Sequence, residues 1–256
     1  MNKKFEDLVE LTKYLRGPNG CPWDKEQDLL SLRSYIIEEA YEVIQAIESG
    51  DKDEMIEEFG DLLHQVVFAS QIAKDESRFG IDDVVDQLHN KLVRRHPHVF
   101  GDEKAKDAEE AVKTWHRQKL KEKTRKNKLL DIPSSMPALL RAQRVGEKAS
   151  QVGFDWDNIQ DVLKKVKEEI AEIEQELKDG DKEKLEKEWG DLLFAVVNLA
   201  RHLKIESETV AHQSTEKFIK RFGMVEDMAK EKGKSLTDMS LVEMDELWKE
   251  VKEADS

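Results

Sequence analysis

Two groups of acidic residues recur along this chain with the same internal spacing. In each group a Glu-Glu-x-x-Glu motif precedes a Glu-x-Gly-Asp motif, and every member of the second group lies 130 positions after its counterpart. Carboxylates held close together repel one another, and a divalent cation between them removes that repulsion. The repeat therefore predicts two copies of one unit, each with a metal site. The groups are Glu38, Glu39, Glu42, Glu58 and Asp61, and Glu168, Glu169, Glu172, Glu188 and Asp191.

A glycine lies midway between the two motifs of each group. Gly180 follows Glu172 by eight residues and precedes Glu188 by eight, and Gly50 divides the first group in the same way. Two antiparallel helices joined at this glycine would bring such residues level, about 12 Å from the turn. Residues three apart share a helix face. The predicted metal ligands are therefore Glu39, Glu42, Glu58 and Asp61 in the first unit, and Glu169, Glu172, Glu188 and Asp191 in the second.

The ligand type restricts the choice of metal. Carboxylates alone suit Mg²⁺, with Mn²⁺ as a substitute, whereas Zn²⁺ prefers histidine or cysteine. A di-iron site in a helical bundle needs Glu-x-x-His motifs, which neither group contains. Since Mg²⁺ keeps water ligands and bridges phosphate oxygens, we expect a phosphorylated substrate.

Basic residues follow each predicted hairpin at helical spacing. Lys217 and Arg221 lie four apart after the second hairpin, and Lys91 and Arg95 lie four apart after the first. Each pair shares one helix face and would suit phosphate groups. Such pairs are also common on exposed helices, so the spacing by itself is weak support.

The elements that must position these residues are predicted to be helices throughout. The chain has 256 residues, 38% charged, with only five prolines, which is typical of helices with a polar outer face and one apolar stripe. The motif Trp-Asp recurs at Trp23 and Trp156, in loops that precede the hairpins. The predicted helices span residues 3–16, 29–48, 52–74, 82–95, 105–123, 138–151, 158–178, 182–203, 206–231 and 240–253.

The repeat predicts two domains, residues 1–124 and 138–256, joined by a linker at 125–137. We interpret the basic run 123–128 as solvated. The net charge of −14 argues against a nucleic-acid-binding surface. A single cysteine, no apolar signal segment and no membrane-spanning stretch lead us to expect a soluble cytoplasmic protein.

Several of these motifs together resemble the MazG family of all-α nucleoside triphosphate pyrophosphohydrolases, in its long form with two tandem domains. They are the loop 20–24, both Glu-Glu-x-x-Glu motifs, both Glu-x-Gly-Asp motifs and the segment 94–101. The resemblance implies Mg²⁺-dependent hydrolysis of NTPs and dNTPs, with broad specificity, to the monophosphate and pyrophosphate, as house-cleaning of the nucleotide pool. It also implies a homodimer in which hairpins from two subunits complete four-helix bundles.

The resemblance implies roles for individual residues as well. The eight predicted ligands would bind metal, and Glu168 would support them or prepare the attacking water. Lys217 and Arg221 would hold phosphates, with Lys184 as a further phosphate-binding lysine. Apart from the resemblance, we favour a core or dimer-interface position for Trp248, with closure over the substrate as the alternative. For Trp23 and Trp156 we favour a buried core position, with packing on a base as the alternative.

The two copies differ at positions that matter for this chemistry. Lys184 corresponds to Glu54, which has the wrong charge for a phosphate. Asn198, which could bind a base or sugar, corresponds to Phe68, which cannot hydrogen bond through its side chain. We therefore predict the main active site in the second domain.

Two other functions fit the sequence. One is a helical interaction or regulatory protein whose metal sites are structural. The other is a pyrophosphohydrolase restricted to one nucleotide, such as dUTP, dCTP or phosphoribosyl-ATP. Mg²⁺-dependent stability without pyrophosphate release would indicate the first, and a substrate panel would identify the second.

Overall fold

The computed structural model describes residues 3–122 and 130–254, and all regular elements in these ranges are helices. The predicted all-α class is therefore confirmed. The chain divides into two compact units, residues 1–124 and 125–256. The basic run 123–128 and the start of the predicted linker at 125–137 lie outside the described residues, and the domain bounds stay a prediction.

The first unit begins with two helices that precede its long hairpin. The hairpin consists of α3 and α4, which pack along each other, and three helices follow it. In order, the elements are α1 (Phe5–Arg16), α2 (Pro22–Glu26), α3 (Leu32–Ser49), α4 (Lys52–Asp75), α5 (Ile81–Arg95), α6 (Pro97–Phe100) and α7 (Ala108–Glu122).

The second unit has the same plan around a hairpin of α9 and α10. These two helices pack along each other, and α8 packs against α10. Its elements are α8 (Ala138–Ser150), α9 (Ile159–Asp179), α10 (Lys182–His202), α11 (Ser207–Glu231), a 3-10 turn (Leu236–Asp238) and α12 (Leu241–Ala254).

Both hairpin turns are built from the sequence Gly-Asp. Gly50 and Gly180 each have φ 72°, a left-handed conformation that glycine adopts without steric cost. The next residue caps the following helix: Asp51 accepts from the backbone amides of Asp53 and Glu54, and Asp181 accepts from that of Lys184. These turns force the two helices of each hairpin to run antiparallel with a fixed register.

The short helices α2 and α6 lie where the sequence predicted loops. Each has a proline, Pro22 or Pro97, at its first position. Proline needs no hydrogen-bond partner there, and its fixed φ suits a first helical turn. The predicted loops were wrong because a proline that starts a helix was interpreted as one that ends it.

The hairpins leave large apolar side chains uncovered. Phe59 on α4 is 52% exposed and Trp189, at the corresponding position on α10, is 56% exposed. Further exposed side chains on the hairpins include Ile36, Ile37, Tyr41, Ile44, Leu63, Val66, Ile170, Leu193 and Val196. None of the described helices is long and apolar enough to cross a lipid bilayer.

Candidate active site

The α9–α10 hairpin brings three of the predicted ligands of the second unit together. Glu169, Glu172 and Glu188 offer carboxylate oxygens that all lie within 4.8 Å of one another. Glu172 faces Glu188 across the hairpin, as the level pairing about Gly180 predicts. Asp191, the fourth predicted ligand, is exposed one turn further along α10 and does not belong to this group.

Glu169 is the most buried member of the group. Its side chain is 4% exposed, and its Oε2 atom is buried without a hydrogen-bond partner. A buried carboxylate oxygen without a partner is unfavourable, so such an atom needs an explanation. A hard divalent cation bound by oxygen ligands would satisfy it, and the donor set of the group fits such an ion.

The carboxyl group of Glu172 is affected by the negative charges of its neighbours. The pKa of Glu172 is raised, first by desolvation and then by the charges of Glu169 and Glu188. Both effects disfavour the ionised form, and a bound cation would reverse them. The carboxylates are therefore arranged at an electrostatic cost that metal binding can offset.

Lys165 is part of this site, although it was not among the predicted site residues. Its Nζ lies 2.7 Å from Glu168 Oε1 and 2.7 Å from Glu169 Oε1. The pKa of Lys165 is raised and that of Glu168 is lowered by this pairing. Because Glu168 holds its proton less strongly, the pairing favours a role as charge partner over one as general base. The spacing of three and four residues on one helix was the signal that could have identified Lys165.

The first unit has an equivalent but different group. Glu39, Glu58 and Asp61 offer oxygens within 4.8 Å of one another, and Glu42 is not a member. The pKa of Glu39 is raised by desolvation, although a hydrogen bond from Gln65 opposes this shift. The pKa of Glu58 is raised as well, by desolvation and then by Asp61.

The equivalent glutamates Glu39 and Glu169 have different partners in the two units. Gln65 Nε2 donates to Glu39 Oε1 at 3.1 Å, whereas the residue equivalent to Gln65 in the second unit is Ala195. Conversely, the position of Lys165 is occupied by Tyr35 in the first unit. The glutamate at this position therefore has a neutral partner in the first unit and a cationic one in the second.

Arg95, which was expected to face phosphates in the first unit, has intramolecular partners. Its Nε donates to Glu122 Oε2 at 3.0 Å, and its guanidinium carbon lies 5.2 Å from the centroid of the Trp115 ring. Arg95 and Arg94 together hold the pKa of Glu122 at about 2. Arg95 is thus paired within α5 and α7, where it shares Glu122 with Arg94.

The predicted phosphate-binding residues of the second unit lie on different helices. Lys184 is exposed in the first turn of α10, with its Nζ 3.6 Å from Asp181. Lys217 and Arg221 lie one turn apart on α11. Their phosphate-binding roles stay predictions.

Trp248 packs between the last two helices. Its ring centroid lies 5.1 Å from that of Phe218, and it contacts the α11–α12 core formed by Val225, Ala229, Leu247 and Val251. This position agrees with the core role that we favoured. A contact with substrate stays a prediction.

A cavity of about 440 Å³ opens beside Asn198 in the second unit. Asn198 itself is 4% exposed, and the lining includes Gly146, Phe154, Trp156, Phe194 and Arg201. In the first unit the equivalent Phe68 is buried in a core cluster with Leu32 and Ile72. Asn198 was a predicted contact for a base or sugar, whereas Trp156, for which a buried core position was favoured, is 38% exposed and lines the cavity. Phe154 and Arg201 were not predicted, and the first unit does not share them.

The duplicated hairpins correspond to a known domain. A model of the MazG nucleotide pyrophosphohydrolase domain matches residues 27–100 and residues 157–225. The chain belongs to the MazG family. The predicted resemblance is therefore confirmed, and the two matches contain both carboxylate groups.

Three similar proteins align with nearly the whole chain. A nucleoside triphosphate pyrophosphohydrolase of Escherichia coli K12 is 44% identical, covering 97% of this chain and 97% of that protein. The nucleoside triphosphate pyrophosphohydrolase/pyrophosphatase MazG of Thermotoga maritima is 42% identical over 98% of this chain and 96% of its own length. The Bacillus subtilis protein YabN is 47% identical over 98% of this chain, which corresponds to 52% of YabN.

Proposed function

We propose that this MazG protein hydrolyses nucleoside triphosphates, both ribo and deoxy, to the monophosphate and pyrophosphate. The observation that carries the proposal is the unpartnered, buried Glu169 Oε2 within a group of three carboxylates. The names of the Escherichia coli and Thermotoga maritima relatives support the reaction class. Broad use of the common nucleotides follows from the family resemblance.

The metal in this proposal is Mg²⁺, held by Glu169, Glu172 and Glu188. Asp191 lies one turn beyond Glu188 on the same helix, where a change of side-chain conformation or a bridging water would let it take part. When bound, the ion would supply positive charge to the triphosphate oxygens and to the attacking water. Mn²⁺ has similar ligand preferences and is expected to substitute.

The residues of the chain perform the remaining tasks. A carboxylate of the group accepts the proton of a water molecule whose oxygen bonds to the α-phosphorus, and the bond from this phosphorus to the bridging oxygen of the β-phosphate breaks. Lys184, Lys217 and Arg221 stabilise the departing pyrophosphate by ion pairing. Lys165 keeps Glu168 ionised and supplies a further positive charge at the edge of the group.

The second unit is proposed as the main active site. It has Lys165, Lys184 and Asn198 where the first unit has Tyr35, Glu54 and Phe68. The carboxylate group of the first unit would therefore bind a cation with fewer groups available for a triphosphate.

We further propose that the protein forms a homodimer through its hairpins. The support is the exposed apolar surface on all four hairpin helices, which includes Phe59 and Trp189. Large exposed apolar patches typically mark protein interfaces. A second hairpin covering this surface would complete a four-helix bundle beside the carboxylates.

One assay tests the reaction. The protein is incubated with each common NTP and dNTP in Mg²⁺, and pyrophosphate is measured separately from orthophosphate, with a chelator in the control. We expect equimolar monophosphate and pyrophosphate, and no turnover with the chelator. Orthophosphate as the direct product, or Mg²⁺ binding without turnover, would contradict the proposal.

A further inference from the structure

The cavity beside Asn198 lies in line with the carboxylates along α10. Asp191, Phe194 and Asn198 follow one another at intervals of three and four residues, so they share one side of this helix. Asn198 lies two turns beyond Asp191, a rise of about 10 Å. A ligand with its phosphates at the carboxylates would therefore extend its other end towards the cavity.

The lining of the cavity is mostly apolar and presents no free charge. Arg201 lines it, but its guanidinium forms a two-pronged ion pair with Asp155, in which Nη1 donates to Oδ2 at 2.9 Å. Asp155 Oδ1 also lies 3.0 Å from His202 Nε2. Because the charge of Arg201 is neutralised, the cavity suits an uncharged part of a ligand rather than a phosphate.

Asn198 presents a hydrogen-bond donor to the cavity. Arg201 Nε donates to Asn198 Oδ1 at 3.2 Å. A guanidinium can only donate, so the oxygen of the amide must face it and the NH₂ group must point away. Within the described part of the chain, Asn198 Nδ2 has no hydrogen-bond partner. The free amide therefore donates to whatever acceptor enters.

Aromatic side chains supply the walls. Trp156 and Phe194 line the cavity, and Phe154 stands at its rim with 81% of its surface exposed. Gly146 allows α8 to approach α10 closely, since a Cβ at this position would lie 2.6 Å from Asn198 Oδ1. Flat apolar walls with one donor suit an aromatic heterocycle, because bases stack on such rings.

We propose that this cavity is the nucleobase subsite, in which Asn198 Nδ2 donates to an acceptor atom of the base and Phe154 covers the base. The inference rests on the proposed function. All common bases have a carbonyl oxygen or an unprotonated ring nitrogen on an exposed edge, so a single donor accommodates each of them. The subsite therefore binds bases in general and selects weakly among them.

The test compares UTP with ribose 5-triphosphate, which has the same reacting groups and no base. We expect wild-type kcat/KM to be about tenfold lower for ribose 5-triphosphate, the size of one stacking contact. Phe154→Ala should lower kcat/KM for UTP by about tenfold and leave kcat/KM for ribose 5-triphosphate unchanged. The control is Val152→Ala in the same loop, an exposed residue outside the cavity lining, which should change neither value.

A second variant, Asn198→Leu, tests the donor. It should raise KM for UTP and leave KM for ribose 5-triphosphate unchanged. Its circular dichroism spectrum should remain that of a helical protein. The subsite assignment would be overturned if wild type had equal kcat/KM for the two substrates. It would also be overturned if Phe154→Ala lowered kcat/KM equally for both. If wild type releases no pyrophosphate from any triphosphate, the proposed function itself fails. A loss confined to UTP in both variants supports the subsite.

Discussion

Lys165 Nζ lies 2.7 Å from Glu169 Oε1, one helical turn away on α9, while the other oxygen of this buried carboxylate has no hydrogen-bond partner. One oxygen is thus neutralised by the protein and the other is left for a ligand. Tyr35 stands at the position of Lys165 in the first unit, where Glu39 accepts from Gln65 instead. Equivalent glutamates therefore have different electrostatic surroundings in the two units.

The first prediction concerns the effect of Lys165 on metal affinity. Lys165→Met removes a positive charge next to Glu169, so Mg²⁺ should bind the second unit more tightly, by about 30-fold for a single charge about 4 Å from a divalent ion in water. Calorimetric titration with Mg²⁺ in the absence of nucleotide measures this. Lys167→Met, an exposed lysine two residues further along α9, is the control and should change little. Weaker Mg²⁺ binding in Lys165→Met would contradict the prediction.

The second prediction separates the two carboxylate groups. Glu172→Gln keeps the size of the side chain but removes the charge of a proposed ligand, so the rate of pyrophosphate release should fall by about 100-fold or more. The equivalent variant of the first unit, Glu42→Gln, should keep most of the activity. Circular dichroism checks that both variants remain helical. Equal losses in the two variants would refute the assignment of the main site to the second unit.

Asp191→Asn extends this comparison to the ligand that lies outside the observed group. If Asp191 joins the ion on binding, this variant should lose activity to a similar extent as Glu172→Gln. Wild-type turnover in Asp191→Asn would restrict the proposed ligands to the three glutamates of the group.

The pairing of residues across each hairpin was predictable, because the number of residues from the turn fixes the distance along the helix axis. Equal distances from Gly180 placed Glu172 level with Glu188, and the structure has them together. The same arithmetic does not give the rotation of each side chain about its helix. For this reason it could not show that Asp191 lies outside the group, or that Glu42 does so in the first unit.

The residues that the sequence did not reveal are those that the copies do not share. Comparison of the halves finds equivalent positions, whereas Lys165 and Arg201 have no counterpart in the first unit, where Tyr35 and Gln71 take their places. Arg201 and Asp155 are 46 residues apart, and only the packing of the loop before α9 against the end of α10 brings them together. Such a pair is determined by tertiary structure, and neither periodicity nor repeat spacing predicts it.

The third prediction concerns the pH dependence of metal stabilisation. The pKa of Glu172 is raised above 4.5 in the folded protein, so its contribution favours the fold at low pH and is lost as pH rises through the raised value. Mg²⁺ competes with the proton for the same carboxylates. At pH 8, saturating Mg²⁺ should raise the melting temperature by about 5 °C or more, and near pH 4 the rise should disappear.

Differential scanning calorimetry with and without Mg²⁺ measures this shift. Glu172→Gln provides the control, since it should lose the part of the Mg²⁺ effect that comes from the second unit and keep the part that comes from the first. A rise in melting temperature that is as large at pH 4 as at pH 8 would show that these carboxylates do not bind the ion.

The last prediction tests the proposed homodimer. Trp189 is 56% exposed between Glu188 and Gly190 on α10, so an apolar surface adjoins a proposed metal ligand. Trp189→Lys places a charge on this surface and should shift sedimentation velocity profiles from dimer to monomer, with a parallel loss of pyrophosphate release. Leu241→Lys, at a 78% exposed position on α12, is the matched control and should leave both properties unchanged. A wild-type protein that sediments as a fully active monomer would exclude the dimer and leave the apolar hairpin surface without this role.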